Sequence, residues 1–284
     1  MKIPVFYNPK MAVDSQGYSP SAEKARKCVD AWGKEGLIKL NDCLPASMHE
    51  LLLAHDPKYV HEVVSLRRAN GHGNRISEVT GAAVWNVGSM IAAATEAVRN
   101  GRVACSPTSG FHHASYANGG GFCTFNGLMS AARKILLTTS VEKIGIVDCD
   151  WHYGDGTDDI IREFKIGRNR IAHWTMGASA YDKAGEMIRA MSKFLDSSMR
   201  DCGLILYQAG ADPHKADPLG GLFTNAELVE RDRALFGFCR LYRIPVAWNL
   251  AGGYQKNKSG GIPKVIGIHL RTMRVCSQVY SESW

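Results

Sequence analysis

The 284-residue chain has no apolar run near the roughly 18 residues of a membrane-spanning helix, so no membrane partner is expected. It has no CxxC pair either. Its eight cysteines are scattered, several inside apolar runs where a reduced thiol behaves as a small hydrophobe, which argues against a disulfide framework. No block of Lys and Arg exceeds two residues, so the formal charge of +7 reads as solvated surface, with no nucleic-acid partner. The N-terminal MKIPVFYNPK lacks a signal-peptide pattern, and the expected location is cytoplasmic. Repeats, low-complexity tracts and linkers are missing as well, which leaves one domain over residues 1–284 as the expected organisation. The composition, 45% hydrophobic and 21% charged, is that of a soluble globular protein with enough apolar residues for a sizeable core.

What is present is an alternation of short apolar runs with longer stretches of helical period. RVACSP (102–107), KIGIVDCD (143–150), LILYQAG (204–210) and VAWNLAGG (246–253) have the length and flanking Gly, Pro or Asp of buried strands. Helices are expected at VWNVGSMIAAATEAVRNG, stopped by Asn100 and Gly101, at NGLMSAARKILL and at GEMIRAMSKFLDSSMR. Capping-box spacing at Ser47/Glu50 and Thr224/Glu227 starts two more, and Asp56 before Pro57 starts another. Residues 68–80 and 254–264 read as surface loops. Strands alternating with helices predict an α/β fold: three αβα layers with a mostly parallel central sheet.

In an open α/β sheet the ligand site lies beyond the carboxyl ends of the strands. Each of the four strands leads into a segment with chemistry: TSGFHHASYANGGGF, WHYGDGTD, ADPHKADPLGG and GGY. Together they bring His112, His113, Asp148, Asp150, His152, Asp155, Asp212 and Tyr254 to one edge. If the backbone stays extended, period-2 alternation puts Asp148, Asp150 and His152 on one face. Carboxylates with an imidazole suit a divalent cation such as Zn²⁺ or Fe²⁺, and burying them unpaired is costly. Asp212, between Gly210 and Pro213 after another strand, is the best further ligand, and three protein ligands leave one position open, as catalytic sites do.

The segments GFHHASYANGGGFCTFNG, DCDWHYGDGT, QAGADPHKADPLG and LAGGY resemble, in order, those of the histone deacetylase superfamily, metal-dependent amidohydrolases of the arginase/deacetylase fold. The resemblance implies hydrolysis of the amide of an N-acylated primary amine such as acetyl-lysine or an acetylpolyamine. It implies Asp150, His152 and Asp212 as ligands of Zn²⁺ or Fe²⁺, and His113 as general base with His112 beside it. Asp155 would orient His113, Asp148 would orient His112, and Tyr254 would stabilise the oxyanion. Gly121 and Phe122 match the substrate channel, and a structural K⁺ is implied at the carbonyls of Asp148, Asp150 and His152, with Thr175 and Met176 alongside. The chain departs from the family pattern in SPTSGFHH, in the loop after HWTMG and in GHGNRISE, where Asn74 and Arg75 stand in place of a rim aspartate. A small or broadly accepted substrate is expected, and a homo-oligomer is compatible with the sequence.

Taken singly, each residue has a plainer reading. Asp155 between two glycines could cap the helix TDDIIREF, Tyr254 could be a loop tyrosine, and His49, His55, His61, His72, His173, His214 and His269 read as surface or core residues. Two other functions compete: an arginase-like ureohydrolase, whose two-metal order is DxHxD rather than DxDxH, and a non-catalytic metal- or acyl-lysine-binding module, which would be expected to have lost the base or the tyrosine.

Overall fold

The computed structural model describes residues 1–281; the last three of the expected 1–284 span lie outside it. The elements run β1 (Ile3–Phe6), α1 (Lys24–Lys34), β2 (Ile38–Asn41), α2 (Met48–Leu52), α3 (Pro57–Val64), α4 (Ser77–Asn100), β3 (Val103–Ser106), α5 (Gly127–Thr138), β4 (Ile144–Asp148), α6 (Asp155–Glu163), β5 (Ile171–Thr175), α7 (Ala184–Ser198), β6 (Leu204–Gly210), α8 (Asn225–Leu241), β7 (Val246–Ala251) and α9 (Pro263–Ser281). The seven strands form one wholly parallel sheet in the order β2-β1-β3-β7-β6-β4-β5.

Both faces of that sheet are covered, and the alternation of side chains along each strand sorts two cores. Ile205, Tyr207 and Ala209 of β6 and Val246, Trp248 and Leu250 of β7 face a core shared with α1, α7, α8 and α9. Leu204, Leu206 and Ala247 point the other way, into a core shared with α3, α4, α5 and α6. All eight cysteines are free and buried, as the scattered spacing implies. Among the described residues no helix is long and apolar enough to cross a membrane.

The helix signals act where the sequence puts them. Ser47 and Thr224 each accept from the backbone N–H three residues on while Glu50 and Glu227 reach back, and Asp56 caps the N–H of Tyr59 behind Pro57. Gly101 ends α4 at φ 64°, a left-handed turn that a Cβ would strain. Two expectations need correction. The stretch 68–80 is no simple surface loop: its end begins α4, and Gly71 donates to Thr124 Oγ1 at 3.0 Å beneath the loop bearing Gly121 and Phe122. Likewise α9 begins at Pro263, inside the expected 254–264 loop.

Gly88, midway along α4, lets the Leu44–Ala46 segment cross the helix; a Cβ there would lie 2.0 Å from Leu44 O. Gly88→Ala is therefore expected to destabilise the fold by about 1–3 kcal/mol despite the better helix propensity of Ala. Thermal denaturation checks this, and an unchanged or higher Tm would contradict it.

Candidate active site

The four loops that bear the chemistry follow β3, β4, β6 and β7, which are neighbours at the centre of the sheet. Parallel pairing brings their carboxyl ends to one edge, so residues as far apart in sequence as His112 and Tyr254 meet there.

The extended reading of Asp148, Asp150 and His152 fails after Asp148, where β4 ends. Asp148 Oδ1 accepts from Asp150 N at 3.1 Å, and Asp150 Oδ1 accepts from His152 N at 3.1 Å. Each aspartate thus caps the N–H two residues on, and these successive turns fold the chain out of the strand. As a result Asp148 parts from the other two. Asp150, His152 and Asp212 each offer one ligand atom, all within 4.8 Å of one another. His152 Nδ1 lies 3.0 Å from Asp150 Oδ1 and 3.1 Å from Asp212 Oδ2.

Asp212 is wholly buried. Its Oδ2 accepts from Trp151 N at 3.0 Å, whereas its Oδ1 has no hydrogen-bond partner. That orphaned oxygen faces Gly252, where a Cβ would come within 2.0 Å of it; the backbone there has φ 51°. A buried carboxylate oxygen without a donor is costly, and a divalent cation held by Asp150, His152 and Asp212 would satisfy it, so the residues fit such an ion. Without one, the hydrogen bonds that His152 donates to the two carboxylates raise it to about 10. Burial and the charge of Asp150 raise Asp212.

Two His–Asp pairs stand beside the cluster. Asp148 Oδ2 lies 2.6 Å from His112 Nδ1, and Asp155 Oδ1 lies 2.7 Å from His113 Nδ1, with the imidazole centroids 4.1 Å apart. Burial would lower His112, but the carboxylates of Asp148 and Asp150 outweigh it and raise the group to about 9. His113 moves the other way, lowered first by burial and then by His112. A cationic imidazole thus sits next to a neutral one. Asp155 is the first residue of α6, and its carboxylate reaches His113 instead of capping the helix.

Tyr254 is anchored through its N–H to Asp217 Oδ2 at 2.8 Å, and its ring lies 5.8 Å from Phe122 and 6.4 Å, edge-on, from His152. Burial first, then the carboxylates of Asp150 and Asp212, raise its phenol, which stays protonated. Phe122 has φ 65°, rare for a bulky side chain, and Gly121 has φ 52° with its Cα against His113, where a Cβ would touch the ring at 2.4 Å. Thr175 Oγ1 accepts from Gly154 N, and Gly177 packs against the His152 carbonyl, so the Thr175–Gly177 and Asp148–His152 segments are adjacent.

Several participants carried no usable signal in the sequence. Lys24 is completely buried, donates to Gly252 O at 2.5 Å and is lowered to about 8 by burial. Gln208 donates to Asp148 Oδ1 at 2.9 Å while its Oε1 accepts from Phe111 N. His72, expected to be an ordinary surface or core histidine, stands 5.8 Å from Phe122. A polar residue inside an apolar strand, as Gln208 is, was the only hint available.

Residues 19–176 match the histone deacetylase domain family. The chain is 31% identical over 228 residues to an uncharacterized protein of Picosynechococcus, covering 73% of this chain and 76% of that one. It is 26% identical over 250 residues to histone deacetylase 2 of Arabidopsis thaliana, covering 76% of this chain and 63% of the relative. The fold superposes on a crystal structure of acetylpolyamine aminohydrolase from Burkholderia pseudomallei with a TM-score of 0.74 at 15% identity, over 98% of this chain and 99% of that one.

Proposed function

Since the chain belongs to the histone deacetylase family, we propose that it is a metal-dependent amidohydrolase that cleaves the amide of an N-acylated primary amine. The observation that carries this reading is the convergence of Asp150, His152 and Asp212, with the Asp212 oxygen left unpaired, directly beside the two His–Asp pairs.

Held by those three residues, Zn²⁺ or Fe²⁺ would supply Lewis acidity and lower the pKa of the attacking water. His113, neutral and turned by Asp155 so that Nε2 is free, takes a proton from that water as its oxygen bonds to the carbonyl carbon. The same imidazolium returns the proton to the leaving nitrogen as the C–N bond breaks, giving acid and amine. His112, kept cationic by Asp148, adds positive charge next to the developing negative charge. The protonated hydroxyl of Tyr254 donates to the carbonyl oxygen, and the rings of Phe122 and Tyr254 wall the aliphatic arm of the substrate. A structural K⁺ would belong at the carbonyls of Asp148, Asp150 and His152, beside Thr175 and Met176.

Acetate release from an acetyl-lysine peptide and an acetylated polyamine, competing at equal concentration, tests the reading. The Zn²⁺-loaded protein is expected to turn over the polyamine at least as fast as the peptide, because the sequence offers Asn74 and Arg75 in place of a rim carboxylate for the peptide backbone. Chelator-stripped protein should release acetate from neither. Undiminished turnover after stripping would refute the metal dependence.

A further inference from the structure

Arg231, in α8, is fully buried, and so is its neighbour Asp232. A buried ion pair brings little net stability on its own, so its geometry has to be asked what else it does. The guanidinium Nη1 donates to Gly210 O at 2.8 Å and to Cys149 O at 3.3 Å. Those two carbonyls belong to the segments carrying Asp150 and Asp212, and they lie past Asp148↔Gln208, the last register pair joining β4 to β6. On its other side the guanidinium is fixed by Asp232 Oδ1, 2.9 Å from Nε and 2.8 Å from Nη2. Asp232 is itself held by Tyr207 Oη at 2.5 Å and Thr272 Oγ1 at 2.6 Å.

We propose that Arg231, locked by Asp232, is a positioning residue that clamps the Cys149 and Gly210 carbonyls together and so sets the spacing between the ligands Asp150 and Asp212. The inference rests on the metal reading above. Beyond the last ladder bond, from Cys149 N to Gln208 O, the guanidinium joins the end of β6 to the segment after β4, alongside the bond from Trp151 N to Asp212 Oδ2. Only a planar fork with several donors can grip a carboxylate on one edge and two carbonyls on the other; a lysine ammonium cannot span all three.

Arg231→Lys and the uncharged double variant Arg231→Met/Asp232→Leu test it, alongside wild type. Zn²⁺ affinity is measured by chelator competition, the Co²⁺ absorption spectrum reports ligand geometry, and thermal denaturation of the metal-free proteins reports folding. Both variants are expected to fold, to bind Zn²⁺ about 10–100-fold more weakly, and to show an altered Co²⁺ spectrum. A folded variant with wild-type affinity and spectrum would overturn the clamp while leaving the metal reading intact. Absence of metal binding by wild type would overturn both. Failure of both variants to fold would make the pair a folding element and overturn the positioning role.

Discussion

Asp212→Asn is expected to give a folded protein whose Zn²⁺-dependent acetate release falls on the order of 10³-fold, the rate equivalent of losing several kcal/mol of metal-assisted stabilisation. Asparagine keeps the shape and can still accept from Trp151 N, but it removes one of two carboxylates buried around His152. The stability of the metal-free protein supplies the contrasting readout. Burial and the charge of Asp150 already raise Asp212, so relieving that repulsion should leave the metal-free variant at least as stable as wild type. Saturating Zn²⁺, at 100–1,000 times Kd, should stabilise wild type by about 3–4 kcal/mol and raise its Tm by roughly 5–15 °C. The variant should show little of that rise; an equal rise would remove Asp212 from the ligand set. The pH dependence follows from His152, held at about 10 without metal. The ion must displace its proton at neutral pH, so Zn²⁺ affinity should rise with pH and weaken as the solution is acidified.

His113→Ala is expected to lower kcat by about 10²–10⁴ with a much smaller change in KM, since in the proposed mechanism the imidazole moves a proton in the transition state and does little to hold the ground-state substrate. Burial and the adjacent His112 lower His113 below the usual histidine value of 6.5, with Asp155 opposing. The base is therefore available at neutral pH, and with Zn²⁺ kept saturating at every pH, wild-type activity should fall on acidification only once the pH passes through that depressed value. Loss of the imidazole should flatten this limb of the profile for the residual activity. A variant retaining activity within about tenfold of wild type would assign the base elsewhere.

Much of the fold was legible because its signals are local. LILYQAG and its neighbours are apolar over the length of a buried strand, and the boxes at Ser47 and Thr224 are reciprocal hydrogen bonds between residues three apart. The outer strands carried weaker signals: β1 contains a proline, and β2 and β5 lie at the sheet edges. From the order of strands and loops alone, the sequence determined that His112, His113, Asp150, His152, Asp155, Asp212 and Tyr254 share one edge. The family resemblance already implied Asp148 as the partner of His112. Only the tertiary structure showed the successive turns after Asp148 that part it from the Asp150–His152–Asp212 cluster, where period-2 alternation alone would have kept it on one face with Asp150 and His152. Lys24 beneath Gly252, Gln208 behind Asp148 and Arg231 across two loops were likewise settled there. The physical reason is that periodicity and capping act within a few residues, whereas the partner of a buried charge is chosen by which distant carbonyl or carboxylate the packed helices bring within hydrogen-bond reach.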